Sequence, residues 1–274
     1  YDIQDGVAQG KALDMMEAAP IRGYRTTIAG TSQAEDILDC EIIIITAGAV
    51  RKPGMKRDAL LKENKAIIEE YAKKITNPDT KVIIVTEPVD PLTTLFSELS
   101  SLPSRQVMGL GAILDATRLR YLIADKLGVA MENVAAQVIG RHTDDMILLE
   151  DYCCVSGISL ENFMPQSSIT ELFEATRNAG HLIVDLAGRA SAYYGPSAVA
   201  VELAEAIVLD TGRLMSVSSV LSGQYGITDA ALSLPAFIGR SGISKVVAPK
   251  LSEDQTATFK ASAETISQTL KEAE

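Results

Sequence analysis

The sequence predicts a doubly wound α/β layer on a parallel sheet, followed by a mixed α+β half. Three observations predict it. Short apolar or β-branched runs at 24–29 (YRTTIA), 41–46 (EIIIIT) and 81–86 (KVIIVT) each end in turn residues. Runs apolar throughout suit strands buried on both faces of a parallel sheet. An amphipathic segment separates the last two runs, which gives the strand–helix–strand rhythm of an α/β layer. Beyond Asp115 that rhythm breaks.

The segment between the runs is 58–75, DALLKENKAIIEEYAKKI. Leu60, Leu61, Asn64, Ile67, Ile68, Tyr71 and Ile75 recur there at three- and four-residue spacing, one face of a helix. QVMGLGAIL (106–114) predicts a further strand and turn. DATRLRYLIADKLG predicts a helix with Asp115 in its first turn and Gly128 as its stop. Strands follow at 133–140 and 146–155, with a polar turn around His142 between them. Helices are expected at about 169–189 and, after Pro196, at about 197–210. A hairpin-like pair flanks SGQYGITD (222–229), and a last amphipathic helix runs from about 252 to the end. The domain division falls at 1–112 and 113–274. No internal repeat or low-complexity linker interrupts either part.

The 274 residues are 47 % hydrophobic and 22 % charged, the balance of an ordinary globular protein. A net charge of −11 leaves no basic face for a phosphate backbone, so nucleic acid is excluded as a partner. No apolar run approaches the roughly 18 residues of a membrane span. Cys40, Cys153 and Cys154 are odd in number, two of them adjacent. They form neither a disulfide framework nor a spaced metal motif, which favours a reducing, cytoplasmic setting.

Four stretches carry chemistry. TAGAVRKPGMKR (46–57) puts Arg51 and Arg57 on a Pro- and Gly-containing loop at a strand's carboxyl end. Ligands of open α/β sheets bind there, although a solvated basic loop has the same composition. In LDATRLR (114–120), Asp115 and Arg118 share a helix face, as an ion pair or a functional pair. QVIGRHTDDMILL (137–149) holds His142, either a satisfied turn histidine or an acid/base group. His181 lies within a helix without comparable company and is read as structural. In VTEPVDPLT (85–93), Pro88 forces Glu87 out of helical geometry and places a polar side chain toward the same cleft.

Together these stretches resemble the lactate/malate dehydrogenase family, on its lactate-dehydrogenase-like malate dehydrogenase branch. TRNAG, SAYYGP, VLSGQYGITD, IGRSGISKVV and LSEDQ continue the likeness in the family's order, from Tyr1 to Glu274. The resemblance implies a Rossmann-type dinucleotide-binding domain and reversible hydride transfer between NAD and malate or oxaloacetate. It implies that His142 is the acid/base group, oriented by Asp115. Arg118 grips the carboxylate beside the reacting carbon, as a two-pronged clamp. Arg57 polarises the carbonyl when the loop closes. Arg51 pairs with the second carboxylate and so selects a dicarboxylate over a monocarboxylate. Ala192 matches the small residue of the malate branch. Asp2 stands where an acidic residue binds the adenosine ribose, which favours NAD over NADP. Asn64, Val85 and Glu87 fall near the cofactor, and Glu87 also faces the substrate. No metal or covalent nucleophile is required. A homodimer or homotetramer is implied.

The sequence departs from the family in three places. It contains no G-x-G-x-x-G, which the family carries about 25 to 30 residues before the position of Asp2. In the order 3-2-1-4-5-6 the missing strand is central, and its loss exposes two sheet edges. The expectation is therefore an N-terminally truncated chain, a fragment that on its own folds poorly and binds NADH poorly. Glu87 replaces the family's asparagine; its expected partner is a cleft arginine, with lowered activity as the result. Thr143 replaces the glycine that follows the histidine, while Asp144 keeps the acid two residues on. Two alternatives stay open: a related 2-hydroxy-acid (lactate-type) dehydrogenase, and a non-catalytic dicarboxylate-binding homologue.

Overall fold

The computed structural model describes residues 1–49, 60–188 and 192–273. Six strands form its central sheet: β1 (Ile42–Ile45), β2 (Lys81–Ile84), β3 (Val107–Gly109), β9 (Arg213–Val220), β10 (Ala231–Gly239) and β11 (Gly242–Val246). They lie side by side in the order β1-β2-β3-β9-β10-β11. β1, β2 and β3 pair in parallel, in the register Ile43↔Val82↔Val107. β9 joins β3 antiparallel at Gly109↔Ser218, and β10 and β11 follow antiparallel. The sheet thus runs without a break across the position where the sequence texture changes.

Three helices pack near the parallel strands, α2 (Leu61–Lys74), α3 (Val89–Leu99) and α4 (Ala112–Leu127), and α1 (Val7–Arg22) precedes them in the chain. Ile68, Ala72 and Ile75 from the α2 region and Leu92 and Phe96 of α3 are buried with Ile43, Ile45, Val82 and Ile84 of the strands. α4 stops at Gly128, whose φ of 66° is the left-handed cap that glycine supplies without strain. The second half adds two small sheets. β4 (Val134–Ala135), β7 (Cys154–Val155) and β8 (Ile158–Ser159) form one, and β5 (Val138–Ile139) and β6 (Ile147–Leu148) the other. A bridge from Gly140 to Ser233 ties the second to β10. α5 (Gln166–Ala187) packs with α4, and α6 (Tyr194–Val208) covers β9 and β10. α7 (Glu253–Glu272) opens on a capping box, with Ser252 and Gln255 exchanging side-chain and backbone bonds. Its Phe259 and Ile266 are buried under β10, and the Lys65 ammonium donates to the Ala273 carbonyl beyond its end at 3.1 Å.

The structure corrects several expectations. Residues 24–29 form no strand: β1 is the sheet edge, and nothing among the described residues pairs with that run. A β-branched run is a strand only as half of a ladder. The segment instead lies against α1, with the Tyr24 hydroxyl on the Met15 carbonyl and Gly30 so close to Ala8 that a Cβ would stand 2.2 Å from its carbonyl carbon. The sequence pattern does not announce α1 or α3. α1 buries only Ala12, so it has no apolar stripe to detect. α3 begins directly after the Pro88 turn and buries polar Asp90, Thr93 and Thr94 along with its apolar residues, which hides the period. The run 146–155 divides around a 3₁₀ turn at Glu150–Tyr152. α6 starts at Tyr194, before Pro196, because proline is tolerated in a first turn where amide donors have no helical partner.

Candidate active site

The carboxyl ends of β1 and β2 open into a cleft of about 590 Å³. Its walls include Thr46, Val85, Glu87, Leu114, Arg118 and His142, with Ala192 and Tyr193 across from them. Two side chains hold this end of the sheet together. The Thr86 hydroxyl donates to the Ala47 carbonyl at 2.7 Å, joining the ends of the two strands. Asn64, fully buried on α2, accepts from the Ala49 amide at 2.7 Å and donates to the Glu87 carbonyl at 2.6 Å. Gly48 allows this close packing: a Cβ there would stand 2.7 Å from the Asn64 Oδ1 and 2.8 Å from the Thr86 methyl.

His142 leaves the β5–β6 turn and enters the cleft. It is 5 % exposed, and Asp115 on the first turn of α4 is fully buried. Nδ1 of His142 lies 2.5 Å from Oδ2 of Asp115. Arg118, one turn further along α4, approaches the other Asp115 oxygen at 3.2 Å and lines the cleft. Nε2 of His142 lies 3.4 Å from Oε1 of Glu87. Glu87 precedes a cis Pro88 in the turn between β2 and α3. The imidazole therefore has a carboxylate oxygen near each of its nitrogens.

Two further groups fix the histidine. The His142 amide donates to Oδ2 of Asp90 at 2.7 Å. Asp90 sits in the first turn of α3 and is 2 % exposed. Burial pushes its carboxyl up to about 6, against the opposing pull of the Ser218 hydroxyl and the His142 amide. The turn after the histidine is held by Asp145, which takes the Thr143 hydroxyl, Arg141 at 3.3 Å and the Ser262 hydroxyl of α7 at 2.7 Å. Burial works to raise the Asp145 carboxyl, but the bonds from Thr143 and Ser262 and the Arg141 charge outweigh it and hold it below the usual range.

Of the residues singled out from sequence, the structure brings His142, Asp115, Arg118, Glu87, Val85 and Ala192 to one cleft. Asn64 is behind the cleft wall, with both amide atoms on backbone. Asp2 lies away from the cleft lining, its carboxylate accepting the Gln4 amide at 2.9 Å. Arg51 and Arg57 lie outside the described residues. Thr143 does not crowd the cleft; its hydroxyl is spent within its own turn, on Asp145 and on Arg141 at 3.0 Å. Glu87 meets His142, a partner that its sequence context does not suggest. His181 is 3.5 Å from Asp144 on the surface. Sequence reasoning missed Asp90 and Ser262. Asp90 had a signal, a single carboxylate among the apolar and threonine residues that follow Pro88; Ser262 had none.

Residues 1–109 match the family model described as lactate/malate dehydrogenase, NAD binding domain, and residues 112–274 match the lactate/malate dehydrogenase alpha/beta C-terminal domain. The chain belongs to the lactate/malate dehydrogenase family. Malate dehydrogenase of Methanosarcina barkeri is 40 % identical over 275 residues, covering 100 % of this chain and 90 % of that protein. Malate dehydrogenase of Geobacillus kaustophilus is 39 % identical, covering 96 % of this chain and 85 % of that one. The crystal structure of Cryptosporidium parvum malate dehydrogenase superposes with a TM-score of 0.96 at 35 % identity, over 99 % of this chain and 89 % of that chain. Lactate dehydrogenase from the same organism, complexed with lactic acid and nicotinamide adenine dinucleotide, gives 0.94 at 30 % identity, over 99 % and 88 %. Both dehydrogenase types thus share this family fold.

Proposed function

We propose that the protein is an NAD-dependent malate dehydrogenase, interconverting malate and oxaloacetate. The observation that carries this reading is the buried Asp115–His142 couple whose second ring nitrogen faces the cleft at the carboxyl ends of the parallel strands. The cleft fits a nicotinamide: Leu60, Val85, Val89 and Leu114 offer apolar surface to a ring, and Thr46 and Thr86 offer polar groups. A nicotinamide held there would supply the hydride chemistry at the substrate carbon. His142 supplies the matching proton from Nε2 to the carbonyl oxygen, and takes it back in the oxidation direction. Asp115 fixes the ring tautomer and stabilises the imidazolium. Arg118, on the same helix face, is the proposed clamp for the carboxylate beside the reacting carbon. Arg57 and Arg51 keep their proposed roles as polariser and reader of the second carboxylate. Asn64 is proposed to support the cofactor floor through backbone, and Asp2 to meet the ribose.

The same reading proposes a domain boundary at 112–113, supported by the change of family model between 109 and 112. It proposes a homodimer or homotetramer, supported by exposed Leu182 and Leu186 on α5 and Val201 and Val208 on α6. A cytoplasmic setting is proposed from the free Cys40, Cys153 and Cys154; no helix among the described residues is long and apolar enough to cross a membrane. The test is NADH oxidation by the full-length protein with oxaloacetate and with pyruvate. The reading expects oxaloacetate to be preferred by at least about 10²-fold in kcat/KM. Equal rates would move the assignment to a general 2-hydroxy-acid dehydrogenase.

A further inference from the structure

One hydroxyl of α7 departs from the pattern of the others. Thr256, Thr258, Thr265, Ser267 and Thr269 each donate to the carbonyl four residues back in the helix. That bond is the ordinary local outlet for a helical hydroxyl. Ser262 is 1 % exposed and donates instead to Oδ2 of Asp145 at 2.7 Å, a residue 117 positions earlier. Asp145 gathers two more donors at its other oxygen, the Thr143 hydroxyl and Nε of Arg141 at 3.3 Å. Together they outweigh burial and hold the carboxyl below its usual range, so both oxygens stay acceptors at neutral pH.

These bonds converge on the turn that carries His142. The turn closes through the Thr143 amide on the Arg141 carbonyl at 2.8 Å and the Met146 amide on the Thr143 carbonyl at 3.0 Å. Asp115 meets the His142 ring and Asp90 its amide, both from the side of α3 and α4. The chain that leaves His142 is held from the opposite direction, by α7. Phe259, three residues before Ser262 on that helix, is buried with Ile139 and Ile147 of the two strands that flank the turn. The helix thus backs the hairpin with an apolar side chain and ties its tip with a polar one.

We propose that Asp145 and Ser262 are positioning residues for the reaction: through this pair α7 fixes the turn that presents Nε2 of His142 to the substrate carbonyl. Thr143 belongs to the same lock, since its hydroxyl is bonded to Asp145. A proton donor displaced by about 1 Å can cost about 10²-fold in rate, so anchoring the main chain on both sides of His142 bears directly on turnover. The inference rests on the dehydrogenase reading above.

Ser262→Ala, Asp145→Ala and the double variant of the full-length protein test it. Oxaloacetate-dependent NADH oxidation is measured, with kcat expressed per NADH site counted by fluorescence titration, so that loss of folded protein does not register as loss of rate. Each single variant is expected to lower kcat per site by about tenfold or more, with KM changed less than about threefold. The double variant is expected to be no slower than Asp145→Ala, because the pair acts as one device. Unchanged kcat per site in both single variants, or losses that add in full, overturns the proposal. Amide hydrogen exchange gives a readout independent of turnover: residues 138–148 are expected to exchange faster in Ser262→Ala, and residues 213–220 of β9 at the wild-type rate. Unchanged exchange at 138–148 overturns the lock. Absence of oxaloacetate turnover in wild type instead counts against the dehydrogenase reading, and the exchange measurement still judges the lock.

Discussion

Replacing Asp90 by asparagine should stabilise the protein, and only at neutral to alkaline pH. The Asp90 carboxyl is buried and raised from 3.8 to about 6, mainly by desolvation. An acid whose folded value lies above its unfolded value binds more protons in the native state, so stability falls as pH rises between the two. Below about pH 4 both states are protonated and nothing is lost. Above about pH 6 the native state holds an ionised, desolvated carboxylate. At about 1.4 kcal/mol per pH unit, that displacement costs about 3 kcal/mol. The Asp90→Asn substitution removes this penalty. The carbonyl oxygen of the new side chain still accepts the His142 amide, a bond made at 2.7 Å by the carboxylate. The expected gain is about 1–3 kcal/mol at pH 8 and close to zero at pH 4. Urea unfolding at both pH values and one protein concentration measures it, since association shifts apparent stability. An equal loss of stability at both pH values would refute the reasoning. It would mean that the carboxylate's hydrogen bonds outweigh its desolvation.

Asp115→Asn should lower kcat/KM for oxaloacetate by about 10²- to 10⁴-fold, because a neutral amide at Nδ1 no longer supplies the negative charge that stabilises the imidazolium; steady-state NADH oxidation is the assay. Gly48→Ala should weaken NADH binding by at least about tenfold, since its Cβ would stand 2.7 Å from the Asn64 Oδ1 and must displace that clamp. Fluorescence titration checks it, with circular dichroism to show that the fold persists. Among the thiols, exposed Cys40 should react first with a disulfide reagent, while burial, which raises the Cys153 thiol to about 11, keeps it inert until unfolding.

The parallel strands and α2 were legible because burial on both faces leaves uninterrupted isoleucine and valine runs, and a one-sided helix leaves a stripe. The run 24–29 has a similar β-branched character yet forms no strand, because pairing is a property of two segments and composition describes one. α1 was illegible for the opposite reason: with only Ala12 buried, no periodicity records its packing. In the site, spacing singled out Asp115, Arg118 and His142 only as candidates, and the family resemblance supplied their expected roles. The pairing of Glu87 with His142 was not legible, since it joins residues 55 apart across a turn geometry that sequence does not specify. Thr143 was legible as an oddity, but the destination of its hydroxyl was not, since that depends on Arg141 and Asp145, which bond it within its own turn.

The central claim is that His142, oriented by Asp115, moves the proton that accompanies hydride transfer. Its most direct test compares oxaloacetate-dependent NADH oxidation by wild type and His142→Asn in the full-length protein. The account predicts turnover in wild type and a loss of at least about 10²-fold in kcat in the variant, with NADH binding retained. Equal kcat in the two proteins would contradict it.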